Sequence, residues 1–167
     1  MAATANVKVY TGTTATVESP AGDADNLNLM STDTYDSTGS AYQSASISVP
    51  TTGTNYSYER WFRVEYTGTF NSITNVKFWK SAGSLSDANL TLNAGETSSA
   101  ATPTDGSSSL ATSAIPTVVG SAIDISATIT SSGDYTDYGI IQLAVPTNVT
   151  TPGDIGSQTI TFQYDES

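Results

Sequence analysis

An all-β fold, an antiparallel β-sandwich or jelly-roll-like arrangement with little or no helix, is what this sequence predicts. Ser and Thr together make up roughly a third of the 167 residues, and Thr favours strands while Ser, Gly, Asn and Asp supply turns. Short β-type segments recur between turn-rich stretches, a spacing typical of sandwiches and barrels. No stretch has the 3.6-residue apolar period of an amphipathic helix; 81–88 could form one turn and no more.

The candidate strands are 7–11, 14–18, 27–30, 45–49, 58–66, 75–80, 89–92, 122–129, 138–145 and 158–164. Alternation is clearest in 122–129, where Ile123, Ile125, Ala127 and Ile129 share one face and Asp124, Ser126 and Thr128 the other. In the last segment Ile160, Phe162 and Tyr164 oppose Thr159, Thr161 and Gln163. Period-two patterns of this kind fit antiparallel strands covered on one side. The length suits a single sandwich domain, 1–167, with a core of its own, and the segment 1–12 could serve as a contact arm. Two stretches, 31–44 (with Tyr35, Gly39 and Tyr42) and 95–115, read as long loops. Loops of that length are commonly functional, and both are expected to pack against something, a neighbouring subunit being one option.

Composition also restricts the chemistry. The chain has no cysteine and no histidine, which removes disulfides, thiolate metal sites, the commonest metal ligand and the commonest general base. Nucleophilic catalysis would have to rest on a Ser–Lys or carboxylate-assisted arrangement, and the sequence offers no such constellation. It has no phosphate-binding glycine loop either, so neither an enzyme nor a cofactor is expected. A formal net charge of −11, from 16 acidic and 5 basic residues, is the opposite of a nucleic-acid footprint. No apolar run approaches the ~20 residues of a membrane-spanning helix, and the start, MAATANVKVYTG, lacks the pattern of a signal peptide. Two pairs of loop carboxylates, Asp23 with Asp25 and Asp134 with Asp137, are the places where a cation could sit, although neither completes a calcium-loop pattern.

The segment 55–83 differs from its surroundings. It carries both tryptophans, Trp61 and Trp79, and four of the five basic residues, Arg60, Arg63, Lys77 and Lys80. In its first strand Tyr58, Arg60, Phe62, Val64 and Tyr66 share one face, with Glu59, Trp61, Arg63 and Glu65 on the other. In its second, Val76, Phe78 and Lys80 oppose Lys77 and Trp79. Turn residues over 68–74 suggest a hairpin. Trp, Tyr and Arg are the residues enriched at binding hot spots, which makes Trp61, Arg63, Lys77 and Trp79 candidate contact residues, with Val7, Val9 and Tyr10 of the amino-terminal arm. The plainer reading has Phe62, Val64 and Phe78 in the core, the tryptophans covering outer sheet faces, and Arg63 and Lys77 paired with Glu59 and Glu65.

The run YERWFRVEYTGTFNSITNVKFWKSAG and the ending TITFQYDES resemble small virion proteins of tailed bacteriophages, most nearly the head decoration, or cement, proteins. That resemblance implies a β-rich, often trimeric homo-oligomer. It also implies a place on the capsid exterior after synthesis in the host cytoplasm, and stabilisation of the head by many-copy binding to the major capsid protein. It carries no residue roles. A carbohydrate-binding or adhesive β-module of a phage tail, fibre or cell surface is the alternative, since exposed tryptophans and tyrosines stack on sugar rings.

Overall fold

A computed structural model describes residues 2–12, 15, 17–18, 27–34, 44–151 and 153–167. The candidate cation pair Asp23/Asp25 and the loop residues Tyr35, Gly39 and Tyr42 lie outside them. The fold is an antiparallel β-sandwich of two unequal sheets, with no α-helix among the described residues. The larger sheet contains β1 (Thr4–Thr11), β2 (Val17–Glu18), β3 (Thr54–Tyr56), β4 (Arg60–Thr67), β6 (Thr91–Thr97), β7 (Ser113–Ala114), β9 (Asp134–Tyr135) and β10 (Tyr138–Pro146). Its order is β2-β1-β4-β10-β6-β7, with β3 extending the pairing of β10 and β9 that of β4. The smaller sheet has β5 (Ile73–Ala82) between β11 (Thr159–Glu166) and β8 (Ile123–Asp124).

Inward-facing residues follow from the period of two. Phe62, Val64 and Tyr66 of β4 are fully buried against Ile73, Val76 and Phe78 of β5, with Leu92, Ala94, Ile125, Ile129 and Ile141. Phe62 meets Phe78 edge-on at 5.0 Å and Phe162 at 5.6 Å, and Tyr66 meets Tyr164 at 4.9 Å. Such pairs add about 0.5–1.5 kcal/mol each beyond their area burial. Gly139 lies opposite Phe62 in the ladder, and a Cβ there would sit 2.3 Å from the ring. Only glycine lets the phenyl group lie flat on β10. β10 itself is buried on both faces over Tyr138–Val145, in keeping with its near-continuous apolar run.

Four expectations need correction. The segment 58–83 is not a hairpin: β4 and β5 belong to opposite sheets, and the 68–72 connection carries the chain across the core. Turn residues mark a reversal but do not say whether the next strand pairs or faces. Residues 27–30 and 45–49 are not strands. They run as irregular chain with Leu27, Leu29 and Ile47 packed against buried clusters, held by Tyr58 N–H to Met30 O and Ser31 N–H to Ala45 O. Of 122–129 only Ile123–Asp124 is strand, although the alternation survives, with Ile125 and Ile129 buried and Asp124 and Thr128 exposed. Finally, Thr4–Thr11 is no free arm. Thr4 to Tyr10 pair with Thr67 to Trp61 along the whole strand, and Val9 and Tyr10 are buried.

Candidate interaction surface

The outer face of the larger sheet would expose Trp61, Tyr138 and Ile140 if nothing covered it. The loop between β6 and β7 does so, placing Leu110 and Ala111 over Trp61, Tyr138 and Ile140, beside Tyr10 and Ala15. It packs on its own sheet. Gly95 makes this possible, because a Cβ there would collide with the Leu110 carbonyl oxygen at 2.0 Å.

Buried polar groups fix the loop in place. The Gln142 amide Nε2 donates to the carbonyls of Ser57 (3.0 Å), Thr104 (3.3 Å) and Gly106 (2.8 Å), while its Oε1 accepts from Ser108 N–H (3.2 Å). Glu59 accepts from the Trp61 indole Nε1 (2.8 Å), from Thr104 N–H (3.2 Å) and from the Ser108 hydroxyl. Ser108 Oγ in turn accepts from the amides of Leu110 and Ala111. A network this fully satisfied rigidifies what it holds. Its serine and carboxylate have their hydrogen-bonding capacity spent on the loop.

Other charged groups also bind the chain's own backbone, although Arg60 Nη1 and Asp33 Oδ1 are buried without a hydrogen-bond partner. Arg60 is almost wholly buried, with Nε donating to Asn28 O and Nη2 to Thr32 O beside Asp33. Burial lowers its pKa and Asp33 partly restores it. Asp87 accepts from the amides of Asn89, Thr150 and Thr151, and those bonds, that of Asn89 first, hold its carboxyl well below the usual carboxylate range. Asp134 of the second candidate cation pair caps the turn at Thr130 and Ser131 through their amides. No cluster of three or more metal-ligating side chains occurs among the described residues.

The proposed contact residues separate into two groups. Trp61, Val9 and Tyr10 are buried inside the chain and cannot meet a partner without disrupting it. Val7, Arg63, Lys77 and Trp79 are partly exposed. The charge pairing expected for them also differs. Arg63 lies over the rings of Tyr135 and Tyr138, at 5.1 and 4.8 Å, and donates to Thr136 O. Glu65 pairs with Lys8 at 3.6 Å.

On the outer face of the smaller sheet Lys77 and Trp79 lie opposite Gln163 and Thr161 of β11, and Asp124 of β8 lies on the other side of Lys77. The Ser126 hydroxyl, then its amide, lowers the Asp124 pKa, with Lys77 adding to the effect. Trp79 is the aromatic side chain this face presents. Two further surface features were not anticipated from the sequence. One is an exposed apolar tip, Val118–Val119, on a 3-10 turn beside β5. The other is a polar cleft of about 360 Å³ lined by hydroxyl groups with Asn55, Tyr56 and Asp105. The adjacent valines could have flagged the first; the second joins segments far apart in the chain. Comparisons with protein-family models, curated proteins and solved structures give no match.

Proposed function

We propose that this chain is a non-catalytic structural module that attaches in many copies to the outer surface of a phage head and stabilises it by binding major capsid subunits. The observation that carries the reading is the Glu59–Ser108–Gln142 network. Buried serine, carboxylate and amide groups are committed to pinning a long loop onto a sheet, as suits a rigid platform whose work is contact. The strong acidic excess keeps such a platform soluble and away from packaged DNA, and repeated attachment multiplies modest affinities. The sequence resemblance supplies the choice of partner.

Co-sedimentation with undecorated phage heads tests it. Saturable binding at a fixed ratio to the major capsid subunit is expected, and no binding at saturating protein refutes the reading. Deleting 2–10 strips β4 of one of its neighbouring strands; it should unfold the protein, as circular dichroism would show.

The carbohydrate-binding alternative is favoured by one observation, the partly exposed Trp79 among Thr161, Gln163 and Lys77. Trp61 is fully buried, so a tryptophan fluorescence change on glycan titration should come from Trp79 and vanish in Trp79→Phe. Flat titrations would remove this alternative.

A further inference from the structure

We infer that the outer edge of β11 is a self-association surface, on which a second copy of the chain pairs antiparallel about a two-fold axis at Phe162. The inference is independent of the function proposed above, and its two-fold pair differs from the trimer that the resemblance suggests.

β11 ends the smaller sheet, with β5 on one side and no strand on the other among the described residues. Open edges of this length are templates for pairing, and proteins usually blunt them with Lys, Pro or bulges along the strand. Here the stretch from Thr159 to Tyr164 contains no charge, proline or glycine, and the two register irregularities of the β11–β5 ladder, at Thr159/Ile160 and Gln163/Asp165, flank a regular run from Ile160 to Gln163. Its inward side chains, Ile160, Phe162 and Tyr164, pack on the core yet remain partly exposed among the described residues.

Charge selects both the partner and the register. With a net charge of −11, two copies approach favourably only where their carboxylates stay apart. The acidic residues of β11, Asp165 and Glu166, are confined to one end. A parallel pairing in register would set them against their own copies. Antiparallel pairing centred on Phe162 sets Asp165 opposite Thr159 and Glu166 opposite Gln158. It also matches Ile160 with Tyr164 and Phe162 with itself. Thr161 then faces Gln163 on the solvent side, and the two three-stranded sheets become one. This is the self-complementary patch that a two-fold interface requires.

Because the chain has no cysteine, single cysteines report the register cleanly. In this pairing two copies of residue 163 lie roughly 8 Å apart, from a two-residue offset and one strand spacing, and two copies of residue 159 roughly 21 Å apart. Sedimentation equilibrium on the intact chain should show a monomer–dimer equilibrium. A short bis-maleimide should join Gln163→Cys chains and leave Thr159→Cys chains unlinked. The double variant T161E/Q163E places like charges face to face across the axis while setting residue 163 beside its own Lys77. It should weaken dimerisation about tenfold or more with an unchanged circular dichroism spectrum. A wild-type monomer at every concentration, a trimer, equal cross-linking at 159 and 163, or a dimer indifferent to T161E/Q163E would each overturn the inference.

Discussion

Replacing Gln142 by alanine should detach the 98–112 loop from the sheet beneath it. The side chain is fully buried and makes four hydrogen bonds, three given and one received. Not all four partners suffer equally. Thr104 and Gly106 are partly or fully exposed, so water can replace the amide there. Ser57 and Ser108 are buried, and the Ser57 carbonyl and Ser108 amide would be left without that partner. A buried polar group left unpaired costs about 1–3 kcal/mol, so the two together predict a loss of roughly 2–6 kcal/mol. Urea unfolding followed by the fluorescence of Trp61, which lies beneath the loop, measures the total. Hydrogen exchange at the amides of Ser108, Leu110 and Ala111 locates it, and these should exchange faster in Gln142→Ala under native conditions. A loss below about 0.5 kcal/mol, the range of an unremarkable surface substitution, would refute the reasoning. So would full destabilisation with unchanged exchange in the loop, since the amide would then support the sheet alone.

Other outcomes follow from single contacts. Gly139→Ala drives a methyl group into the Phe62 ring and should lower stability by about 1–3 kcal/mol, read as a lowered urea midpoint. Asp87 has a depressed pKa in the folded chain. Its contribution is therefore complete above the unfolded value near 4 and is lost as pH falls toward the folded value. Asp87→Asn should lower the midpoint at pH 7 and flatten its decline between about pH 4 and 2. The Tyr66 hydroxyl is buried without a partner, and desolvation, then the neighbouring Tyr164, raises its pKa. Tyr66→Phe should keep or raise the melting temperature at pH 7, and it should reduce the stability the wild type loses as pH climbs past about 10.

How much of this was readable in the sequence depends on the range of the signal. Facing within a strand was readable, because a period of two in 58–66 already separates Phe62, Val64 and Tyr66 from Glu59, Trp61 and Arg63. Which sheet a strand joins was not, since residues 68–74 look alike in a hairpin and in a crossing between layers. The burial of Trp61 depends on a loop almost fifty residues away. The visible traces were Gln142, a lone polar residue in an apolar strand, and Gly95, where a glycine weakens β6 unless backbone passes close by. Arg60 falls on the inward face by pattern, yet its carbonyl partners come from irregular chain near Asn28 and Thr32, which no periodicity marks. The partly exposed positions at Lys77 and Trp79 could be placed on an outer face from sequence, whereas the openness of the β11 edge needed the strand order.

The crossing from β4 to β5 has a consequence in time. Because these neighbouring strands do not pair, each finds its partners far along the chain: Val64 with Val7, Trp61 with Ile140, Phe78 with Phe162. Little of the sandwich can form as a local hairpin, and folds dominated by distant pairings assemble slowly, on the order of milliseconds to seconds. On the ribosome, β5 has nothing to lie beside in β11 until the residues around 160 have emerged. Phe62 and Phe78 must wait for Phe162 to complete their cluster. The core faces of β4 and β5 thus stay incompletely covered until β11 emerges, and dependence on chaperones should be greatest just before translation of Thr159–Glu166.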